Sequence, residues 1–315
     1  MANQAIVIGG PTASRKSALA LAFAQSMNGV IINADSMQVY REIPLLTAQP
    51  PADSRQLISH RLYGFMSIAE ACTAARWAAL ARQEIKATLA AGRLPILVGG
   101  TGFYLKAVLD GLAAIPEIPA PIRAAARARL TELGGRAFHA EIAARDPVSA
   151  ARIQPTDRQR MVRAWEVFEA TGRPLADWQA NARPWHLDAG PSIQKIVVMP
   201  ERAALYAACN ARFAAMVRQG ALAEARAVQA LAVDPELPGM KALGLRELID
   251  HLNGRAELAE SVARTQQATR NYAKRQLTWF RHQMPDAKVI VPESLVEQFS
   301  ERFLSEIFNN IRNSG

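Results

Sequence analysis

The chain has 315 residues, half of them hydrophobic, and carries a formal net charge of +9 with a pI near 10.0. This length predicts about two domains with a substantial core, and no apolar run approaches the roughly 18 residues of a membrane span. The chain opens on a strand-like segment without signal-peptide features, and its two cysteines, Cys72 and Cys209, lie far apart. We therefore expect a protein of the reducing cytoplasm, with no zinc site, disulfide framework or membrane association. The positive charge favours a polyanionic partner without identifying one.

A short apolar segment at residues 5–8 is followed by a glycine-containing turn and a helix-compatible segment at residues 18–27. The turn reads Gly9-Gly10-Pro11-Thr12-Ala13-Ser14-Arg15-Lys16-Ser17. Strand, turn, Lys-Ser and helix in this order are typical of a phosphate-binding loop, in which backbone N–H groups, Lys16 and the Mg²⁺-ligating hydroxyl of Ser17 meet an anion. Arg15 replaces the second glycine of the usual pattern, where the backbone approaches phosphate without a Cβ. The alternative interpretation is an ordinary strand-to-helix turn with a surface lysine.

A second buried strand is predicted at residues 29–35 and ends in a polar loop. Since the carboxyl ends of parallel strands hold the ligand in α/β sheets, Asp35 is expected near the phosphate loop. An Asx-turn or helix-capping aspartate is the alternative role for this residue. A further strand at 94–98 ends in glycines instead of the acidic residue that holds Mg²⁺ in P-loop ATPases, which argues against a motor or switch NTPase.

The rest of the chain is predicted to be mainly helical. Helices are predicted at 68–91, 202–219, 222–232, 243–253, 258–283 and 294–313, strands at 193–199 and 288–291, and loops with short strands at 36–66. A proline-punctuated segment at 115–121 suits a domain boundary. We therefore predict an α/β core at 1–115, a helical insert at 116–188, and the second part of the core, with basic C-terminal helices, at 189–315.

Basic residues are concentrated in two of these helical regions. In the insert, Gln159, Arg160 and Arg163 share one helix face, which indicates either a surface for a polyanion or a solvated arginine face. In the predicted helix 258–283, basic residues alternate with aromatic ones, a pattern that can hold a phosphate backbone and stack bases. For these aromatics, packing in the core is the favoured alternative.

Five collinear segments carry a more specific pattern. They are Gly10-Pro11-Thr12-Ala13-Ser14-x-Lys16-Ser17, Asn33-Ala34-Asp35-Ser36-Met37-Gln38-Val39-Tyr40-Arg41, Val98-Gly99-Gly100-Thr101-Gly102-Phe103-Tyr104, Gln159-Arg160-Met161-Val162-Arg163-Ala164 and Thr269-Arg270-Asn271-Tyr272-Ala273-Lys274-Arg275-Gln276-Leu277-Thr278-Trp279-Phe280-Arg281. In these segments the chain resembles the bacterial tRNA dimethylallyltransferase family, also called tRNA isopentenyltransferases. The resemblance covers nearly the whole chain.

The resemblance implies an α/β fold with a P-loop kinase-like parallel sheet core flanked by helices and an all-helical insert domain. It implies transfer of a dimethylallyl group from dimethylallyl diphosphate to the exocyclic amine of the adenine 3′-adjacent to the anticodon, in tRNAs reading codons that begin with U. The partners implied are the tRNA anticodon stem-loop and the prenyl donor, with Mg²⁺ as cofactor. We expect a monomer.

The resemblance also assigns roles to individual residues. It assigns the donor diphosphate to Gly10, Pro11, Thr12, Ala13, Ser14, Arg15, Lys16, Ser17 and Arg212, with Ser17 as Mg²⁺ ligand. It assigns catalysis to Asp35 as general base, with Thr12 and Thr101. It assigns tRNA contacts to Asp35, Ser36, Met37, Gln38, Thr101, Arg123, Gln159, Arg160, Met161, Val162 and Arg163.

Two other functions are kept as alternatives. One is prenylation of free adenine nucleotides, against which the arginine-rich insert and the basic segment 264–281 argue. The other is tRNA binding by a catalytically impaired relative, motivated by Arg15 at the glycine position of the phosphate loop.

Overall fold

A computed structural model describes residues 4–180 and 192–292, together with Ser305 and Ile307. Contacts between Cα atoms divide the chain into two units. Residues 1–108 and 186–315 form the core unit, and residues 109–185 form the insert unit. The sequence predicts these limits at 115 and 188.

The core unit is built on a six-stranded sheet. Its strands are β1 (Gln4–Gly9), β2 (Gly29–Asn33), β3 (His60–Arg61), β4 (Leu94–Gly99), β5 (Ser192–Val198) and β6 (Lys288–Ile290), in the spatial order β3-β2-β4-β1-β5-β6. All the pairings between these strands are parallel. Residues of β2 and β4 are buried throughout, as expected for strands covered on both faces.

The register brings three strand ends together. Gly9 at the end of β1 pairs with Gly99 at the end of β4, and Asn33 at the end of β2 pairs with Val98. Because the strands are parallel, the loops that follow β1, β2 and β4 leave the same edge of the sheet side by side.

Helices flank this sheet and form the insert unit. They are α1 (Lys16–Ser26), α2 (Ala52–Leu57), α3 (Ala74–Ala90), α4 (Gly102–Leu109), α5 (Ala120–Arg145), α6 (Pro147–Ala150), α7 (Arg158–Thr171), α8 (Leu175–Ala180), α9 (Arg202–Arg218), α10 (Ala221–Ala230), α11 (Leu245–Leu252) and α12 (Leu258–Gln283). Within the described ranges, none of them has the length and apolar character needed to cross a bilayer.

Of the predicted helices, one begins later than the sequence pattern indicates and one lies almost entirely outside the described residues. The helix predicted from residue 68 begins only at Ala74, because the Thr73 hydroxyl caps it by accepting a hydrogen bond from the Arg76 N–H at 3.1 Å. The helix predicted at 294–313 lies outside the described residues except for Ser305 and Ile307.

The insert unit, described by itself, packs α5 and α7 around an apolar cluster that includes Phe138, Ile142 and Met161. The α5 segment is interrupted at Gly134, where φ is 72°. Asp146 is buried and its carboxylate accepts hydrogen bonds from the N–H groups of Ser149 and Leu175, which fixes the starts of α6 and α8.

Candidate active site

The loop between β1 and α1 has the backbone shape of a phosphate-binding loop. Arg15 lies in the left-handed region with φ 67° and ψ 14° and directly precedes the first helical residue, Lys16. Ala13 also has a positive φ, of 61°. Arg15 thus adopts the conformation that glycine takes readily and other residues take at a cost. The substitution leaves the loop shape in place and adds strain to it.

Lys16 gives this loop its positive charge. Its Nζ donates a hydrogen bond to the Pro11 carbonyl at 3.1 Å, so the ammonium lies against the loop backbone. Burial lowers the pKa of Lys16 from 10.5 to about 8, the nearby Asp35 carboxylate opposes that shift, and Arg212 adds to it. The hydroxyl of Ser14 is buried and has no hydrogen-bond partner among the described residues, whereas Ser17 is exposed.

A second cation, on α9, reaches the same loop. The guanidinium of Arg212 donates a hydrogen bond to the Thr12 hydroxyl. Burial lowers the pKa of Arg212, and Cys209 and Asp35 act in the opposite direction. The structure therefore brings Thr12, Lys16 and Arg212 together, as the resemblance implies. Cationic groups beside loop amides form a site that suits an anion with several negative oxygens.

Asp35 lies in the loop after β2 and is held by local hydrogen bonds. Its Oδ1 accepts from the Met37 N–H at 2.9 Å, and its own N–H donates to Asn33 Oδ1 at 2.8 Å. The Asx-turn proposed as an alternative therefore exists. The same carboxylate still influences the pKa values of Lys16 and Arg212, which places it on the phosphate-loop side of the sheet edge.

Thr101, in the loop after β4, links this loop to that of Asp35. Its Oγ1 accepts from the Ser36 N–H at 2.9 Å and donates to Ser36 Oγ at 3.2 Å, and the Tyr272 hydroxyl lies close to it. A Cβ on Gly99 would overlap the backbone of Ala34, so glycine is needed for the two loops to approach this closely. Thr101 thus fixes the loop segment that carries the predicted base.

One face of α12 covers the loops after β1 and β4. A Cβ on Gly9 would meet the ring of Phe280, and a Cβ on Gly102 would meet the ring of Trp279. Between them, the Gln276 side chain bonds to both loops. The aromatic residues of this helix therefore pack against the site, which agrees with the favoured core interpretation. The sequence predicts no role at the site for Gln276, whose signal is its position in the last matching segment, whereas Tyr272 is one of the aromatic residues that alternate with basic ones in this helix.

The other residues assigned to RNA contact differ in how accessible they are. Gln38 uses its amide internally, donating from Nε2 to the carbonyls of Thr47 and Ala48. In the insert unit Met161 is fully buried in the apolar cluster, so its side chain cannot meet a ligand without unfolding the bundle. Arg123 and Gln159 are exposed, and Val162 packs partly against that cluster.

The two arginines assigned on α7 are already paired. Arg160, with 71% of its side chain exposed, lies 3.3 Å from Asp157, and Arg163 lies 3.5 Å from the mostly buried Glu166. The exposed Arg160–Asp157 pair contributes little stability, so the Arg160 guanidinium can exchange its carboxylate for a phosphate at low cost. Moving Arg163 away would leave the mostly buried Glu166 carboxylate without its cation, which costs more.

A family model and several known proteins match this chain over most of its length. The family model described as IPP transferase matches residues 38–283. The chain is 51% identical over 308 residues to the tRNA dimethylallyltransferase of Paramagnetospirillum magneticum, covering 98% of this chain and 96% of that one. It is also 51% identical over 293 residues to the tRNA dimethylallyltransferase of Rhodospirillum centenum, covering 93% of each.

Solved structures show the same relationship. The full-length tRNA isopentenylpyrophosphate transferase of Bacillus halodurans aligns with a TM-score of 0.70 and 30% identity, over 99% of this chain and 96% of that one. A eukaryotic dimethylallyltransferase acting on tRNA aligns with a TM-score of 0.80 over 99% of this chain and 80% of that one. At 23% sequence identity, this alignment supports the fold alone. With the family match spanning most of the chain, the protein belongs to the IPP transferase family, together with the tRNA dimethylallyltransferases.

Proposed function

We propose that this enzyme transfers a dimethylallyl group from dimethylallyl diphosphate to the exocyclic amine of the adenine immediately 3′ of the anticodon, in tRNAs that read codons beginning with U. The names of its relatives support the reaction, at 51% identity over 98% of the chain. The observation that carries the proposal is the convergence of two cations, Lys16 and Arg212, with the carboxylate of Asp35 at one edge of the sheet. The two cations suit a diphosphate, and the carboxylate can accept a proton.

On the donor side, the allylic C–O bond breaks and its electron pair leaves with the diphosphate. Negative charge therefore grows on the leaving group, where Lys16, Arg212 and the amides at the start of α1 can stabilise it. The hydroxyl of Ser14, buried and without a partner among the described residues, supplies one further donor at this position.

Mg²⁺ fits this site as a partner of the diphosphate. Among the described residues there is no cluster of three or more His, Cys, Asp or Glu side chains that could hold a metal alone. Mg²⁺ commonly keeps several waters and binds through substrate phosphates with few protein ligands, and the exposed Ser17 at the start of α1 suits such a role. When bound, the ion would add positive charge against the leaving group.

On the acceptor side, the adenine amine forms the new N–C bond and loses a proton. Asp35 is the residue that we propose accepts this proton, since its carboxylate borders the cations of the donor site. Its Oδ1 accepts from the Met37 N–H, whereas no described residue hydrogen-bonds to Oδ2. The base must leave the anticodon-loop stack to reach this carboxylate. We further propose that the enzyme acts as a monomer in the cytoplasm.

The test is prenyl transfer from labelled dimethylallyl diphosphate, with Mg²⁺, to an unmodified tRNA carrying adenine 3′ of its anticodon. We expect label in the tRNA and none in AMP supplied as a competing acceptor. Label in AMP with untouched tRNA would show the alternative, a free-nucleotide prenyltransferase. Binding of tRNA without any prenyl transfer would show that the protein is a catalytically impaired relative that only binds tRNA.

Asp35→Asn is the matched variant for the base. Asparagine keeps an Oδ1 that can accept from the Met37 N–H, so the loop is retained while the proton acceptor is lost. We expect kcat to fall by about 10²- to 10⁴-fold, with the Kd for tRNA nearly unchanged. A variant that turns over at the normal rate would remove Asp35 from this role.

A further inference from the structure

Gln276 makes two hydrogen bonds that join segments far apart in the chain. Its Oε1 accepts from the Thr12 N–H at 2.8 Å, across 264 residues of sequence. Its Nε2 donates to the Gly100 carbonyl at 2.8 Å, across 176 residues. One side-chain amide on α12 therefore bridges the phosphate loop and the turn after β4.

The orientation of this amide is determined by its partners. The Thr12 N–H can only donate and the Gly100 carbonyl can only accept, so the oxygen and nitrogen of Gln276 cannot be exchanged. The side chain is also buried, with 5% of its surface exposed. A buried bond that lost its partner would leave a desolvated polar group, which makes this bridge costly to open.

The bridge has a second support one helical turn earlier. Tyr272, at i−4 from Gln276, has its hydroxyl close to Thr101, which in turn holds Ser36 and the loop of Asp35. Residues four apart lie on one face of a helix. That face of α12 thus hydrogen-bonds to the phosphate loop through Gln276 and lies against Thr101 of the acceptor side through Tyr272.

We propose that Gln276 is a positioning residue: its amide fixes the phosphate loop against the turn after β4 and so sets the spacing between the diphosphate site and the Asp35 and Thr101 loops. The chemistry of that spacing rests on the proposed function, whereas the positioning of the anion site does not. The Thr12 N–H is occupied by Gln276, so the diphosphate meets the Thr12 side chain and the remaining loop amides. Reaction of two bound groups is sensitive to displacements of about 1 Å.

Two variants separate positioning from packing. Q276M keeps the length and apolar stem of the side chain and removes both hydrogen bonds. Q276E keeps an acceptor for the Thr12 N–H but turns an oxygen toward the Gly100 carbonyl. Q283E is the control, because Gln283 is exposed at the end of the same helix and gains the same charge.

The measurements are the Kd for inorganic diphosphate by calorimetry, the KM for dimethylallyl diphosphate, kcat, and the Kd for tRNA, all well below the unfolding temperature. We expect both Gln276 variants to raise the Kd for diphosphate and the donor KM by about tenfold and to lower kcat, with the Kd for tRNA unchanged. Q283E should match the wild type.

Three outcomes would overturn the proposal. One is a Q276M variant that melts earlier yet binds diphosphate and donor normally, which makes the bridge merely structural. Another is weakening of tRNA and diphosphate to the same degree, which indicates general loosening. The third is an effect confined to Q276E and Q283E, which assigns it to charge. If the wild type binds diphosphate but prenylates no tRNA, the proposed function fails while the diphosphate comparison still decides the role of Gln276.

Discussion

Arg15 holds a backbone conformation, with φ 67°, that glycine adopts at little cost. For other residues the left-handed region costs about 1–2 kcal/mol, because Cβ crowds the following carbonyl oxygen. Glycine at this position would also make the unfolded chain more flexible, which costs about 0.4–1 kcal/mol of stability. The two effects oppose each other, and strain relief is the larger.

Arg15→Gly is therefore expected to raise the free energy of unfolding by about 0.5–1 kcal/mol, measured by urea denaturation. Arg15→Ala is the control, since it removes the guanidinium and keeps the Cβ. We expect no gain in stability from the alanine variant. Equal stabilisation by both would show that the side chain, not the backbone, is the source of the effect.

Lys16 makes binding at the anion site depend on pH. Its pKa of about 8 means that the free enzyme loses this positive charge between pH 7 and pH 9. The Kd for diphosphate should rise by about tenfold over that interval. Lys16→Arg, which stays charged throughout, should flatten the dependence. A wild-type Kd that does not change with pH would contradict the assignment of Lys16 to the anion.

The lowered pKa of Lys16 also makes the free energy of unfolding depend on pH. Whereas diphosphate binding weakens as the pH rises, the folded protein becomes more stable. The unfolded chain keeps the Lys16 proton up to a pKa of 10.5, whereas the folded protein releases it near 8. The unfolded state thus binds more protons across this window, and this residue contributes stability that increases as the pH rises from about 8 to 10.5.

At the scale of elements, α10 holds the segment that follows the Asp35 loop. Glu224 on this helix accepts from the N–H groups of Leu45 and Leu46, both at 2.8 Å. Burial raises the pKa of Glu224, and these two hydrogen bonds oppose the shift. Gln38 ties the same segment from its other end through Thr47 and Ala48.

Glu224→Ala should destabilise the protein by about 1–3 kcal/mol, because it leaves two partly buried N–H groups without an acceptor. Thermal or chemical unfolding measures the change. Glu236→Gln, in an exposed pair with Lys241, is the control and should cost at most about 0.5 kcal/mol. A loss of similar size in both variants would mean that the Glu224 bonds are not the cause.

The element pattern shows what sequence can and cannot predict. The apolar runs of β1, β2 and β4 and the period of α12 identified these elements to within a residue or two, because hydrophobic periodicity is local. For α3 the sequence predicts a start six residues too early, since the helix-compatible pattern from residue 68 hides the cap at Thr73. The contacts of Gln276 could not be predicted, because they join residues up to 264 positions apart.

For the whole molecule, the net charge of +9 favours association with a polyanion. Two of the arginines assigned to tRNA contact, Arg160 and Arg163, are now paired with carboxylates of their own helix or its cap. If they exchange these partners for phosphates, each contributes to the salt dependence of tRNA binding.

Replacing Arg160 and Arg163 together by alanine should weaken tRNA binding and reduce the slope of log K against log salt by about 1–2. Fluorescence anisotropy at several salt concentrations gives this slope. Replacing Arg76 and Arg255, which are also exposed and carboxylate-paired, removes the same charge elsewhere and should change the slope less. Equal slopes for wild type and the Arg160/Arg163 variant would show that these arginines do not contact tRNA and would support the alternative interpretation, a solvated arginine face.

The bridge between Thr12 and Gln276 also has a consequence for synthesis on the ribosome. Translation produces the phosphate loop before α12, and Gln276 follows Thr12 by 264 residues. At about 5–20 residues per second, the nascent loop waits roughly 13–53 s for its partner. Until α12 emerges, the amide of Thr12 and the narrow space beside Gly9 lack their partners on that helix. The growing chain thus completes the support of its anion site only after α12 has been made, and a ribosome that stalls before α12 leaves the phosphate loop without that support.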